Sequence, residues 1–335
     1  MKVIISDYAV SMMEDHDYEF KILKQDHPDW TIKSITYDPE NLTKFNTELF
    51  DADALITAFI PVNSQLFDKA PKLKLVSINA MGFDKVDLKS AAEHGVRVCA
   101  VSDYCSEDVA EFTLSLMLSL TKQLKAYSKI LSSDHLWKYS ALPAQKRLSK
   151  QTLGIFGLGK IGQKVARMAK GFGMKILAYD PYLPPEIAAN LGVTPASATQ
   201  IYKEADIVTN HMRLTANNRY FFNKDAFNQM GQGQRPFFIN VARGESVDEN
   251  ALLQALDKSL IKGAGLDVLS SENPDLENQP LLKFPNVILT PHTAFYSINS
   301  IAELQRISCQ NVINFFEKKF ECITNFIDER QEVTK

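Results

Sequence analysis

The stretch TLGIFGLGKIGQKVARMAKGFGMKILAYD, Thr152–Asp180, decides the fold. It is an apolar run, a cluster of glycines, a helical pattern and a second apolar run that closes on a carboxylate. Gly157, Gly159 and Gly162 spell G-x-G-x-x-G between a predicted strand and a predicted helix. Alone that match is weak; its setting makes it specific. Ile161, Val165, Met168 and Phe172 lay an apolar stripe along the helix, and Gly171 or Gly173 can end it. Asp180 then falls near the spacing of about 20 residues expected past the glycines.

Each residue type has a physical task. Gly157 makes the tight turn, Gly159 lets backbone approach a pyrophosphate, and Gly162 allows close contact of helix and sheet. The helix N-terminus, opened by Lys160 and Ile161, turns unpaired N–H groups and a partial positive charge toward the phosphates. Asp180 would accept from the adenosine ribose hydroxyls and repel a 2′-phosphate, so the expected cofactor is NAD rather than NADP.

Outward from this stretch, short β-rich runs alternate with helical patterns along the whole chain, the mark of parallel sheets covered by helices. KVIIS, TIKSITY, DALITAF, KLVSI and VRVCAV form one series; TLGIFG, MKILAYD, DIVTNHM, PFFINVA, GAGLDV and NVILTP form a second. The fold class is therefore α/β with two parallel-sheet units, which suits 335 residues at about 150 residues per domain. Between the series, SEDVAEFTLSLMLSLTKQLKAYSKIL places Val109, Phe112, Leu116, Leu120 and Leu124 at helical spacing, with Ser106 and Asp108 near an N-cap. One long helix is expected there, with a hinge at residues 103–106. After residue 296 the pattern is helical without a further strand.

The composition narrows the function. A net charge of −3, with no block of like charges, argues against nucleic acid or an anionic membrane surface as partner. Cys99, Cys105, Cys309 and Cys322 form no CxxC or zinc spacing, and the histidines no HExxH, so reduced thiols in a cytoplasmic protein and no metal site are expected. The most apolar helical segment, FTLSLMLSL, is far shorter than the roughly 20 residues of a membrane span.

Three further stretches stand at the ends of later strands, the edge where open α/β sheets bind ligands. They are NVARGESVDENALLQAL with Arg243, GAGLDVLSSENP with Asp267 and Glu272, and NVILTPHTAFYS with His292. With the glycine loop, this ordered set resembles the D-isomer-specific 2-hydroxyacid dehydrogenases, from AMGFDKVDLKSAAEHGVRVC through His292. The family includes phosphoglycerate, glyoxylate/hydroxypyruvate and D-lactate dehydrogenases and the C-terminal binding protein corepressors.

The resemblance implies a Rossmann dinucleotide-binding domain, residues 104–296, inserted into a flavodoxin-like substrate (catalytic) domain of residues 1–103 plus 297–335, and a homodimer through the nucleotide-binding domains. It gives His292 the role of proton donor and acceptor, Glu272 that of its carboxylate partner, and Arg243 that of holding the substrate carboxylate. Met81 and Gly82 match a loop whose backbone N–H groups bind the same carboxylate. Asp267 matches an aspartate near the nicotinamide amide, with structural capping as the alternative. Ala242, Arg243 and His292 also count as cofactor contacts; His211, at another strand end, lines the adenine side of the cleft or is structural.

The chemistry agrees with those roles. Hydride transfer at C2 of a 2-hydroxy acid needs a base for the hydroxyl proton, and imidazole works in both directions near neutrality. A carboxylate on the other ring nitrogen fixes the tautomer and favours the protonated form, while arginine can grip a substrate carboxylate bidentately. SINAMGFD, with Ile78 and Ala80, does not favour a phosphoglycerate substrate, and from the short segment after His292 no regulatory domain is expected. Phe295 and Tyr296 would wall the pocket for an aliphatic or aromatic 2-oxo acid. A small-molecule 2-oxo or 2-hydroxy acid is the expected partner; an NAD(H)-sensing, corepressor-like binding protein is the alternative.

Overall fold

The computed structural model describes residues 1–13 and 15–327. The chain divides into two compact units, Met1–Tyr104 with the chain from Ser297 onward, and Cys105–Tyr296.

The first unit holds β1 (Lys2–Tyr8), β2 (Thr31–Tyr37), β3 (Ala54–Thr57), β4 (Leu75–Ile78) and β5 (Arg97–Ala100). They pair in parallel in the order β2-β1-β3-β4-β5, the flavodoxin-like order, which reverses direction between β1 and β3. Successive residues serve opposite faces. Ile4, Leu55, Val76 and Val98 enter one core cluster, and Val3, Ile56, Leu75 and Cys99 the other. The helix Ile298–Phe316 lies on the second face, contributing Cys309, Val312 and Ile313, so the tail belongs to this unit. Its start is fixed by a capping box in which Ser297 and Ser300 satisfy each other's backbone N–H. Contrary to expectation the tail also adds a strand: Phe326–Ile327 pairs antiparallel with β5. Two residues are too few to show an alternating pattern.

The second unit holds β6 (Thr152–Phe156), β7 (Lys175–Tyr179), β8 (Thr194–Pro195), β9 (Ile207–Asn210), β10 (Phe237–Asn240), β11 (Gly263–Leu266) and β12 (Val287–Leu289). All are parallel, in the order β8-β7-β6-β9-β10-β11-β12. This is the dinucleotide-fold order with one strand more, and it reverses between β6 and β9. β9, β10 and β11 are buried along their whole length, which explains why they do not alternate apolar and polar residues.

Two expectations about helices need correction. The helix after the glycine loop, Lys160–Gly171, buries Gly162, Val165, Ala166 and Ala169, so of the expected stripe only Val165 lies on the buried face. Ile161 and Met168 are only half-buried and Phe172 is 41 % exposed, because a helix drawn this close to its sheet has room only for small side chains beneath it. The expected single long helix is broken: Ser106–Thr121 ends, Gln123 adopts φ 57°, and Leu124–Lys129 starts anew. Leu124 is accordingly 55 % exposed while Val109, Leu116 and Leu120 are buried. Ser106 and Asp108 stand beside the N-cap as expected; the N-cap is Cys105, which makes no side-chain capping bond, and Glu107 and Asp108 sit in the first turn, where they complement the helix dipole.

Among the described residues no helix is long and apolar enough to cross a membrane.

Candidate active site

The glycine loop leaves β6 at the reversal point. Gly157 has φ +85°, and a Cβ there would stand 2.8 Å from the backbone of His211 and Met212. A Cβ on Gly162 would meet the Gly157 carbonyl oxygen at 2.1 Å. These two glycines are therefore demanded by the loop itself. Gly159 is different: a Cβ there would enter open space. It holds the N-cap position of the helix Lys160–Gly171 with no side chain to take the first N–H groups. An open space over an uncapped helix N-terminus fits a pyrophosphate.

Asp180 closes the opposite side. Its Oδ2 accepts the Leu158 N–H at 2.8 Å and its Oδ1 the Tyr182 N–H at 2.9 Å. Each carboxylate oxygen has a further lone pair for a ribose hydroxyl. His211 donates its N–H to the Phe156 carbonyl at 2.8 Å, which sets it against the glycine loop. Both its ring nitrogens are buried and lack a hydrogen-bond partner, and burial pulls its pKa down to about 3. The ring is neutral at pH 7, and its unmet polar atoms mark a place where a ligand or water completes the structure.

Arg243, Asp267 and His292 follow β10, β11 and β12 at the carboxyl edge of the same sheet. A buried amide cluster fixes the first of these ends. Asn210 donates from Nδ2 to Asn240 Oδ1 at 3.0 Å and to Ser246 Oγ at 2.8 Å. Asn240 Nδ2 and Ser246 Oγ in turn donate to the Arg243 carbonyl at 2.9 and 2.6 Å. The Arg243 guanidinium donates through Nη1 to the Ala242 carbonyl at 2.9 Å. Asn210, Asn240 and Ser246 were not anticipated, although an asparagine closing each of two buried strands, IVTN and FFIN, was a visible sign.

The loop carrying His292 is fixed by Asp267, only 1 % exposed. Its Oδ1 accepts from Thr290 Oγ1 at 2.6 Å and from the Thr293 N–H at 2.9 Å, and its Oδ2 from the Ala294 N–H at 2.9 Å. Its carbonyl accepts the His292 N–H at 2.7 Å. Burial raises the Asp267 pKa, against the lowering effect of these bonds. His292 itself has φ +50°, a left-handed conformation that costs a non-glycine residue about 1–3 kcal/mol and persists only where the surroundings impose it.

His292 Nδ1 lies 2.9 Å from Glu272 Oε2, the two side chains 20 % and 25 % exposed. The pairing assigns proton exchange with a ligand to Nε2. Phe295 stands edge-on to the imidazole at 5.9 Å. Tyr296 stands edge-on to Phe295 at 6.3 Å and is 69 % exposed. Met81 and Gly82 lie in the first unit, in the loop after β4. Among the described residues no group of three or more His, Cys, Asp and Glu side chains could hold a metal ion.

Residues 114–294 match the family model described as D-isomer specific 2-hydroxyacid dehydrogenase, NAD binding domain. The chain is 33 % identical over 289 residues to a glyoxylate reductase of Korarchaeum cryptofilum, covering 85 % of each. It is 36 % identical over 244 residues to the D-3-phosphoglycerate dehydrogenase of Methanocaldococcus jannaschii, covering 72 % of this chain and 45 % of that protein. The D-lactate dehydrogenase of Aquifex aeolicus, solved with NAD and lactic acid, superposes with a TM-score of 0.86 at 28 % identity over 97 % of this chain and 98 % of that one. From the order of its strands to the carboxylate beside its strand-end histidine, the chain belongs to the D-isomer-specific 2-hydroxyacid dehydrogenase family.

Proposed function

We propose that this protein is an NAD-dependent reductase of small 2-oxo acids, with His292, Glu272 and Arg243 as its catalytic side chains. The observation that carries it is the His292–Glu272 pair at 2.9 Å, on a loop held in a strained conformation at the carboxyl edge of a dinucleotide-fold sheet. NADH, when bound, would supply the hydride that C2 of the substrate accepts. His292 gives the proton to the forming alkoxide from Nε2. Glu272 fixes the ring's tautomer and orientation and pairs with the positive charge the ring carries while protonated. Arg243 holds the substrate carboxylate with charge-assisted hydrogen bonds of about 1.5–3 kcal/mol each.

The cofactor is assigned to Gly157, Gly159, Lys160, Ile161, Gly162 and Asp180, and an apolar wall to Phe295. Phe295 rather than Tyr296 carries that role, since it touches the imidazole. Cys99, Cys105 and Cys309 are buried and form no disulfide, which suits a cytoplasmic protein. The proposed assembly is a homodimer through the second unit, where Leu131, Leu136, Trp137 and Tyr139 are exposed, Trp137 to 90 % and Tyr139 to 92 %. Monomers rarely leave such a surface in water.

A panel of 2-oxo acids with NADH tests the reading. Turnover is expected with at least one acid, and His292→Ala should lower kcat by about 100- to 10,000-fold with little change in NADH affinity. Tight NADH binding without turnover of any acid would favour the cofactor-sensing alternative instead.

A further inference from the structure

Three buried polar side chains of the second unit take no part in the proton and hydride steps. β9 and β10 pair in parallel with Asn210 opposite Asn240, so the two side chains leave the same face of the sheet as neighbours. With Ser246 they are almost fully buried. An amide or hydroxyl so placed costs stability unless its hydrogen bonds are met. Here they are: Asn210 donates from Nδ2 to Asn240 Oδ1 and to Ser246 Oγ, and its Oδ1 accepts the Met212 N–H at 3.1 Å. Apolar side chains of the same shape would fill the space nearly as well, so the reason for the polar ones lies in what they hold.

They hold the backbone around Arg243. Asn240 Oδ1 accepts the Ala242 N–H at 3.1 Å, and its Nδ2 donates to the Arg243 carbonyl at 2.9 Å. Ser246 Oγ donates to the same carbonyl at 2.6 Å. The turn itself does not depend on them, because backbone bonds close it: the Ser246 N–H donates to the Arg243 carbonyl at 3.3 Å and the Val247 N–H to the Gly244 carbonyl at 2.9 Å. What the side chains add is orientation. With the peptides entering Ala242 and leaving Arg243 both fixed, the one between them has little freedom left, and its carbonyl is the one on which the guanidinium rests through Nη1 at 2.9 Å. Asn210 decides which way the Asn240 amide faces. Turned over, that amide would set its NH2 against the Asn210 NH2 and the Ala242 N–H, and its oxygen against the Arg243 carbonyl.

We propose that Asn210 is a positioning residue for Arg243: buried one strand away, it acts through Asn240 and Ser246 to aim the guanidinium that grips the substrate carboxylate. The proposal rests on the reductase reading above and deepens it. Asn210→Asp isolates the effect, since a carboxylate of nearly the same shape keeps an acceptor for the Met212 N–H but loses both donors. Asn240 Oδ1 then faces another oxygen, and the Ser246 hydroxyl is drawn from the Arg243 carbonyl to the new carboxylate. A planar fork that must make two parallel hydrogen bonds loses most of its effect when displaced by about 1 Å.

The test measures kcat and KM for the best 2-oxo acid of the panel, and NADH affinity by fluorescence, in the wild type, Asn210→Asp and Ser246→Ala, with each change repeated in an Arg243→Lys background. Asn210→Asp should lower kcat/KM for the acid by about 100-fold, with little change in NADH affinity. Ser246→Ala, which removes one bond to the Arg243 carbonyl, should lower it by about tenfold and carries the test if Asn210→Asp does not fold. In the Arg243→Lys background, whose retained charge keeps turnover measurable, each change should cost less than about threefold, because no planar fork remains to be misplaced. Wild-type kcat/KM in the variant that carries the test, an equal loss of NADH affinity, or the same cost with lysine as with arginine overturns the proposal while leaving the reductase reading standing. A wild type that turns over no acid sinks the reductase reading and this one with it.

Discussion

Asp267 accepts hydrogen bonds from Thr290, Thr293 and Ala294, and its carbonyl takes the His292 N–H, so its first physical effect falls on the histidine. Resemblance assigned it to the nicotinamide amide; both its carboxylate oxygens are engaged by the loop that carries the proton donor. Asp267→Asn leaves one acceptor and turns an amide N–H toward a backbone donor. The expected result is a fall in kcat of about tenfold or more, with the KM for NADH changing much less; the opposite split would return Asp267 to the cofactor. His211 supplies a pH prediction. Its pKa falls from 6.5 in the unfolded chain to about 3 through burial, so between those values the unfolded state binds more protons. The neutral ring's contribution is complete above about pH 6.5 and is lost as pH falls toward 3. Denaturant melts of the apo-protein at pH 7.5 and 5.5 should show that loss, and His211→Leu should show a smaller one; equal slopes would contradict it.

At the scale of the element, the glycine loop and its helix separate folding from binding. Gly157 and Gly162 are held by collisions within the protein, whereas Gly159 faces open space with φ −70°. Gly159→Ala should therefore leave the apo-protein's Tm within about 2 °C, while the new methyl group stands where the pyrophosphate would lie. NADH affinity should fall by about tenfold or more; unchanged affinity would move the cofactor away from this helix terminus. The same helix shows what pattern alone misreads. Ile161, Val165, Met168 and Phe172 repeat at helical spacing, yet of these only Val165 joins Gly162, Ala166 and Ala169 on the buried face, since distance to the sheet, not hydrophobicity, chooses the face. Likewise the apolar repeat through Leu124 runs past a break at Gln123 that no proline or glycine announces.

For the whole molecule, the exposed segment around Trp137 and Tyr139 predicts a dimer in sedimentation at micromolar concentration, and Trp137→Ser with Tyr139→Ser should shift it toward monomer; a wild-type monomer would reject the assembly. The sequence by itself determined the class of both sheets and the position of the glycine loop, and it singled out His292, Glu272, Arg243 and Asp180 as candidates. Those signals are local: periodicity, a short motif, a polar residue at the end of an apolar run. Only the tertiary structure decided what the polar residues do for one another. Asp267 reaches Thr293 across 26 positions, Asn210 reaches Asn240 across 30, and Asp7 reaches Ala58 across 51. Each bond joins the ends of two strands that the fold makes neighbours, and no spacing along the chain records which strands those are.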